Sequence, residues 1–83
     1  MNDDKMTWEQ YESSDFGLVT FLSLNFPIIE IKKTDPKRSY FVFDKTPELL
    51  EAMEKYWKGE ARVDPNKYFI QTKIIKSRIY ENV

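Results

Sequence analysis

The sequence predicts a small single α+β domain of order α-β-β-α-α, in which one antiparallel hairpin packs against the helices. Three segments have the apolar spacing and caps of helices, and two strand-like segments joined by a turn lie between the first and second. The chain has 83 residues and neither cysteine nor histidine, so disulfides and a zinc site cannot support the fold. We therefore expect side-chain packing to form the core, with six Phe, five Tyr and two Trp available for it.

The first predicted helix covers residues 14–24. Residues 1–12 are polar and acidic and are predicted to be an N-terminal tail, so that residues 13–83 form the domain. Ser13, Ser14 and Asp15 provide an N-cap and an acid in the first turn. The segment that follows has little polar face, so we expect the helix to be buried nearly all round. Gly17, in its first turn, can mark a close contact with another element.

A hairpin is predicted next, with strands near residues 28–33 and 39–44. Apolar and polar residues alternate in the first strand, whereas the second is apolar on both faces. Between the strands, Asp35 and Pro36 occupy the positions that these residues favour in a type I turn.

Two more helices are predicted near residues 47–58 and 65–80. Thr46 and Asp64 are their expected N-caps, because each precedes a proline at the first helical position. Gly59 stands where a left-handed residue ends a helix. On the helical wheel, the apolar stripe of the first of these helices comprises Leu49, Leu50, Met53, Tyr56 and Trp57. The core side of the second comprises Tyr68, Thr72, Ile75 and Ile79, flanked by Phe69 and Tyr80.

The segment KYWKGEARVDPNKYF, residues 55–69, mixes aromatic and basic residues at the junction of these two helices. Its rings are either core residues or a platform on which nucleic-acid bases stack. Because a short loop between antiparallel helices would bring the rings together, we favour core packing for Tyr56, Trp57, Tyr68 and Phe69. A stacking platform stays the alternative, and it requires rings that face water.

The charge pattern and the missing residue types bear on function. The formal net charge is −1, which lacks the basic footprint of most nucleic-acid-binding proteins. No secretory signal and no membrane-length apolar run is present, so we expect a cytoplasmic protein without membrane contact. Without histidine, cysteine or a glycine-rich phosphate loop, we expect no enzyme activity, no cofactor and no metal site.

Several segments resemble a family of known sequence pattern and unknown function. The most specific are the strand FVF, residues 41–43, and the unit YWKGEARVDPNKYF, residues 56–69; SSDFGLVTFL and KSRIY also match. The chain is similar over roughly residues 13–80 to a domain-of-unknown-function family of short proteins from phages and prokaryotic genomes. This resemblance implies a mobile-element setting and a non-catalytic role, and it brings no known active site.

Two apolar residues of the last helix are predicted to face outward. Ile70 and Ile74 are four residues apart, on the side of the wheel opposite the predicted core side. They are candidates for a protein interface, either with a partner or with a second copy of the chain. The alternative is that the N-terminal tail covers them through Trp8 or Tyr11.

Protein-protein contact is the function that we favour, in a regulator or inhibitor of a host machine or in an accessory subunit. The alternative is a nucleic-acid-binding regulator. Residues 62–78 carry five basic side chains against one acid, and further cations flank the hairpin turn. The candidate nucleic-acid contacts are Lys32, Lys33, Lys37, Arg38, Lys67, Lys73, Lys76 and Arg78.

Overall fold

The computed structural model describes residues 8–35 and 37–80, except for the side chains of residues 34 and 35. The described chain forms three strands and three helices in the order β-α-β-β-α-α. Their bounds are β1 (Gln10–Ser13), α1 (Phe16–Ser23), β2 (Glu30–Asp35), β3 (Arg38–Asp44), α2 (Pro47–Trp57) and α3 (Pro65–Tyr80). The predicted α+β class is confirmed, and each predicted element is present within about two residues of its expected bounds.

The strand β1 is an element that the sequence analysis does not predict. It pairs antiparallel with β3, and its register places Tyr11 opposite Phe43 and Glu12 opposite Val42. The end of the predicted tail is therefore part of the sheet, while residues 1–7 of that tail lie outside the described residues. A strand of four residues gives a weak signal, and its partner is distant in the sequence, so no hairpin pattern reveals it.

The three strands form an antiparallel sheet of order β1-β3-β2, with β3 in the centre. Phe41 and Phe43 of β3 project from one face and pack with the helices. Tyr11 and Ile31, their partners on the edge strands, pack against the same cluster. The buried members of this core cluster are Leu18, Val19, Leu22, Phe41, Phe43, Leu49 and Ile75.

The opposite face of the sheet carries charged side chains around Val42, which is fully buried. Glu12 on one edge strand and Lys32 on the other form an ion pair of 2.6 Å across β3. Since residue 42 is opposite residue 12 and residue 40 is opposite residue 32, the pair runs diagonally over the central strand. The apolar residues of β3 thus face the helices on one side of the sheet and lie among charged side chains on the other.

The hairpin between β2 and β3 turns where the sequence predicts. Asp35 is paired with Arg38, so two residues connect the strands, and the register shifts between Lys32 and Asp35. Pro36, on which the prediction of a type I turn depends, lies outside the described residues.

Helix α1 begins at Phe16, two residues later than predicted, so Asp15 is its N-cap and not an acid of its first turn. The Asp15 carboxylate accepts a hydrogen bond from the backbone N–H of Leu18 at 3.1 Å. None of the eight residues of α1 is exposed, which confirms the prediction of a helix buried nearly all round. The close contact expected at Gly17 is also present, because the Tyr56 hydroxyl lies against it.

Helix α2 has both predicted ends. The Thr46 hydroxyl accepts a hydrogen bond from the backbone N–H of Leu49 at 3.1 Å. At the other end Gly59 has φ 75°. Its backbone N–H donates to the carbonyl oxygen of Tyr56, and the N–H of Glu60 donates to the carbonyl oxygen of Lys55. These two hydrogen bonds make a Schellman motif, which satisfies the last carbonyls of the helix.

The apolar stripe of α2 is narrower than predicted. Leu49 is buried, and Ala52, Met53 and Tyr56 pack against the core. Leu50 and Trp57 are exposed, so the prediction that they belong to the core stripe is wrong. Successive helical residues point about 100° apart, and only one side of α2 is covered by the domain. Leu49 and Tyr56 occupy that side, so Leu50 and Trp57 face away from it.

Candidate binding surfaces on the last helix

Helix α3 is attached to the domain along one side. Asp64 caps its start, because one carboxylate oxygen accepts the N–H of Asn66 at 2.8 Å. Ile75 is fully buried, and Gln71 donates a hydrogen bond to the hydroxyl of Ser23 in α1 at 2.9 Å. Tyr68 donates a hydrogen bond to the Gly17 carbonyl, at 3.3 Å. The remaining sides of this long helix face away from the domain.

The outward position of Ile70 and Ile74 is confirmed, since their exposed fractions are 56% and 45%. The alternative in which the N-terminal segment covers them through Trp8 or Tyr11 does not agree with the structure. Tyr11 packs on the helix-facing side of the sheet, and Trp8 and both isoleucines are exposed. We call Ile70 and Ile74 the isoleucine stripe.

Of the eight predicted nucleic-acid contacts, Lys32 and Lys33 form contacts with other elements of the fold. Lys32 is paired with Glu12, and the hydrogen bond to that carboxylate, together with its negative charge, raises the pKa of the lysine. Lys33 donates a hydrogen bond to the carbonyl oxygen of Ile79, near the C-terminal end of α3. These two ammonium groups each have a protein acceptor.

The other predicted contacts are distributed over two regions. Lys37 and Arg38 are exposed at the hairpin turn. The Lys33 contact brings the hairpin to the C-terminal end of α3, where Arg78 lies. Lys67 is in the first turn of the same helix, about 16 Å from Arg78 along the axis. The structure therefore does not gather all eight residues into one compact patch.

Lys73 and Lys76 lie beside aromatic rings. The Lys73 ammonium group is 4.7 Å from the centre of the Phe69 ring, and that of Lys76 is 5.9 Å from the centre of the Phe16 ring. Both distances are in the range of a cation–π interaction.

The four rings of segment 55–69 divide into two kinds. Tyr56 and Tyr68 are partly buried and face α1, as core packing predicts. Trp57 and Phe69 are 61% and 60% exposed, so the prediction that they pack in the core is wrong. The cause is again the helical rotation between neighbours: each exposed ring directly follows a tyrosine that faces inward.

A shallow groove of about 260 Å³ lies where α1, α2 and the segment after α2 meet. The Phe21 and Tyr56 rings on its wall have centres 5.4 Å apart. Burial raises the pKa of Tyr56, with a smaller contribution from the negative charge of Asp15 and then from Tyr68. The groove is lined by Phe21, Tyr56, Gly59, Ala61, Val63 and Tyr68.

The fold described above lies almost entirely within the domain of one known family. Residues 9–81 match DUF5659, a domain of unknown function. The chain belongs to this family. The match includes β1, so the DUF5659 domain begins before residue 13, where the sequence analysis places the start of the domain. No match was found among curated proteins or among solved structures.

Two further findings concern this DUF5659 domain as far as the structure describes it. No helix there is both long enough and apolar enough to cross a membrane. In that same part of the chain, acidic side chains do not come together in a group that could hold a metal ion.

Tyr80 is a further residue whose predicted position is wrong. Tyr80, predicted to flank the core, is 69% exposed. A signal was available, because Phe69, Lys73, Lys76 and Tyr80 recur at i, i+4, i+7 and i+11, which is the spacing of one helical face. This face carries rings and cations together.

Proposed function

We propose that this DUF5659 protein is a non-catalytic binding module that docks on an acidic, partly apolar surface of a partner protein through the isoleucine stripe. The observation that carries the proposal is the exposure of Ile70 and Ile74 side by side, one helical turn apart. Exposed β-branched apolar residues at such spacing are typical of the centre of a helix-mediated interface. The absence of histidine and cysteine from the sequence supports a role without catalysis.

The charge of α3 supports an acidic partner. From Pro65 to Tyr80 the helix carries three lysines and one arginine and no acidic residue. Lys67 and Arg78 follow the spacing i−3 from Ile70 and i+4 from Ile74, so they border the stripe at either end. Basic residues around an apolar centre complement an acidic rim on the partner and accelerate association.

A second copy of the chain is a less suitable occupant of this surface. In a two-fold dimer each stripe would meet its own equivalent, so Lys67 and Arg78 of one helix would lie near the same two cations of the other. Like charges across an interface oppose association. The proposal therefore names a different protein as the partner.

Nucleic-acid binding by the hairpin turn and α3 together has weaker support. Lys32 and Lys33, two of the residues on which it depends, have acceptors within the protein. The outer face of the sheet carries Glu12 and Glu30 on either side of Val42, and these acids would repel phosphate groups.

The experiment compares the wild type with two double variants that each gain two negative charges. One is Ile70→Glu with Ile74→Glu, and the control is Ile29→Glu with Leu50→Glu, whose side chains are also exposed. The tagged proteins are used to capture partners from extracts of the source cell, and each complex is then reconstituted from purified components. We expect the wild type and the control to bind one acidic protein with equal affinity, and the isoleucine variant to lose it.

Two results would contradict the proposal. Equal binding by both variants would show that the isoleucine stripe is not the contact surface. A dimer of the wild type in sedimentation velocity that the isoleucine variant does not form would assign the stripe to self-association.

The mobile-element setting stays a prediction, supported by the resemblance to short phage and prokaryotic proteins. The genes adjacent to this one test it, because structural or replication genes of a phage should be among them. A cytoplasmic location is part of the same proposal, and cell fractionation tests it.

A further inference from the structure

The face of α3 next to the isoleucine stripe has a different composition. Phe69, Lys73, Lys76 and Tyr80 are all exposed, and their spacing places them in one row along the helix. We call these four residues the aromatic–lysine stripe. The two terminal rings are among the most exposed large side chains that the structure describes, at 60% and 69%.

The row has an aromatic ring at each end and two lysines between them. The Lys73 ammonium group lies over the Phe69 ring, 4.7 Å from its centre, so a positive charge stands beside an exposed apolar surface. Lys76 lies in the same way over Phe16, at the start of α1. Phe69 and Tyr80 are about 16 Å apart along the axis, a distance of several stacked bases.

We propose that the aromatic–lysine stripe binds single-stranded nucleic acid, with bases stacked on Phe69 and Tyr80 and phosphates paired with Lys73 and Lys76. Exposed rings combined with cations along one surface are how proteins bind single strands with little sequence preference. The charge is complementary, because α3 contains no acidic residue that would repel the phosphates.

The chemistry favours a single strand over a duplex. A ring can stack on a base only when one face of that base is open, and the bases of a duplex cover one another. The stripe lacks the asparagine, glutamine or arginine side chains that read base edges in a groove. The expected ligand is therefore an unpaired strand, bound with weak sequence preference.

This proposal goes beyond the protein-binding function and does not depend on it. It uses a different row of side chains on the same helix, so the two can fail separately. Alanine substitutions in the isoleucine stripe therefore serve as a control for the aromatic–lysine stripe.

The first test measures the anisotropy of a labelled oligothymidylate at low salt. Replacing one ring, by Phe69→Ala or Tyr80→Ala, is expected to weaken binding about tenfold, and replacing both about 100-fold. The matched control is Ile70→Ala with Ile74→Ala, which truncates two exposed apolar side chains of the same helix and should leave the affinity unchanged. Melting temperatures establish that all variants are folded.

The second test measures the salt dependence of the same binding. Each phosphate contact to a single strand contributes about 0.7 to the slope of log K against log salt concentration. Lys73→Gln with Lys76→Gln should therefore lower the slope by about 1.4. A duplex of mixed sequence should bind more weakly than the oligothymidylate at every salt concentration.

Three results would overturn the proposal. The first is no binding of the oligothymidylate at low salt, and the second is unchanged affinity of the folded Phe69→Ala, Tyr80→Ala variant. The third is displacement of the oligonucleotide by polyglutamate equally well from the wild type and from the variant without rings. In that case the surface recognises negative charge alone, and the rings do not stack on bases.

Discussion

The phenolic oxygen of Tyr56 occupies the space in which a side chain on Gly17 would begin. A Cβ atom on this glycine would lie 2.7 Å from that oxygen, closer than unbonded carbon and oxygen atoms approach. The carbonyl oxygen of Gly17 accepts a hydrogen bond from the Tyr68 hydroxyl at 3.3 Å. Helix α1 is thus held between one tyrosine of α2 and one of α3, and Gly17 provides the room for both.

Gly17→Ala tests this contact through the sign of its effect. Alanine in place of glycine inside a helix normally stabilises by about 1 kcal/mol. Here the added methyl group must displace the Tyr56 hydroxyl, so we expect a loss of roughly 1–2 kcal/mol in the free energy of unfolding, measured with urea. In a Tyr56→Phe background the obstructing oxygen is absent, and the same change should stabilise. Equal effects in the two backgrounds would contradict the contact.

The raised pKa of Tyr56 predicts a loss of stability at alkaline pH. The folded protein retains this proton to a higher pH than the unfolded chain, whose tyrosine has its ordinary pKa near 10. The contribution is therefore fully present below about pH 10 and is lost as the pH rises through the folded value. We expect unfolding curves of the wild type to lose stability more steeply above that pH than those of Tyr56→Phe. Tyr80→Phe, a change at an exposed ring, should follow the wild type.

The caps of α2 and α3 can each be removed by one substitution. Thr46→Ala and Asp64→Ala eliminate the oxygen atoms that accept the first free N–H groups, and each should cost about 1 kcal/mol of stability. Thr46→Ser keeps the hydroxyl and should cost much less. Chemical denaturation measures all three, and full stability in either alanine variant would argue against that helix start.

Neighbouring isoleucines of α3 should respond very differently to truncation. Ile75 is fully buried, so Ile75→Ala should cost about 2–5 kcal/mol. Ile74 is exposed, and Ile74→Ala should change stability by no more than about 0.5 kcal/mol. Thermal melts of the two variants side by side provide the comparison. A similar loss in both would mean that the outer face of α3 is covered by another part of the protein.

The helix ends could be predicted from the sequence because each depends on local chemistry. Thr46 and Asp64 accept hydrogen bonds as N-caps, and Gly59 takes the left-handed conformation, as their positions suggest. The start of α1 was predicted to within two residues, from the group of capping side chains that includes Asp15. These features need only residues that are close in the sequence, so a single chain is enough to identify them.

Contacts between distant segments were harder to predict. Strand β1 depends on β3 for its hydrogen bonds, and the residues of Gln10–Ser13 alone do not indicate which segment they pair with. For the candidate surfaces, the exposure of Ile70 and Ile74 followed from the helical wheel. The exposure of Trp57 and Phe69 did not, because a broad apolar arc does not reveal which of two adjacent rings the core accepts.

The order of strands in the sheet has a consequence for how the chain folds. Strand β1 is made first, but its hydrogen-bonding partner β3 is completed only at Asp44, after α1 and β2. The hairpin of β2 and β3 closes a short loop, whereas adding β1 closes one that spans α1 and β2, at a greater entropic cost. During synthesis the N-terminal strand must therefore wait, unpaired, until β3 has left the ribosome. Because Glu12 is in β1, the Glu12–Lys32 ion pair can form only when β1 pairs with β3.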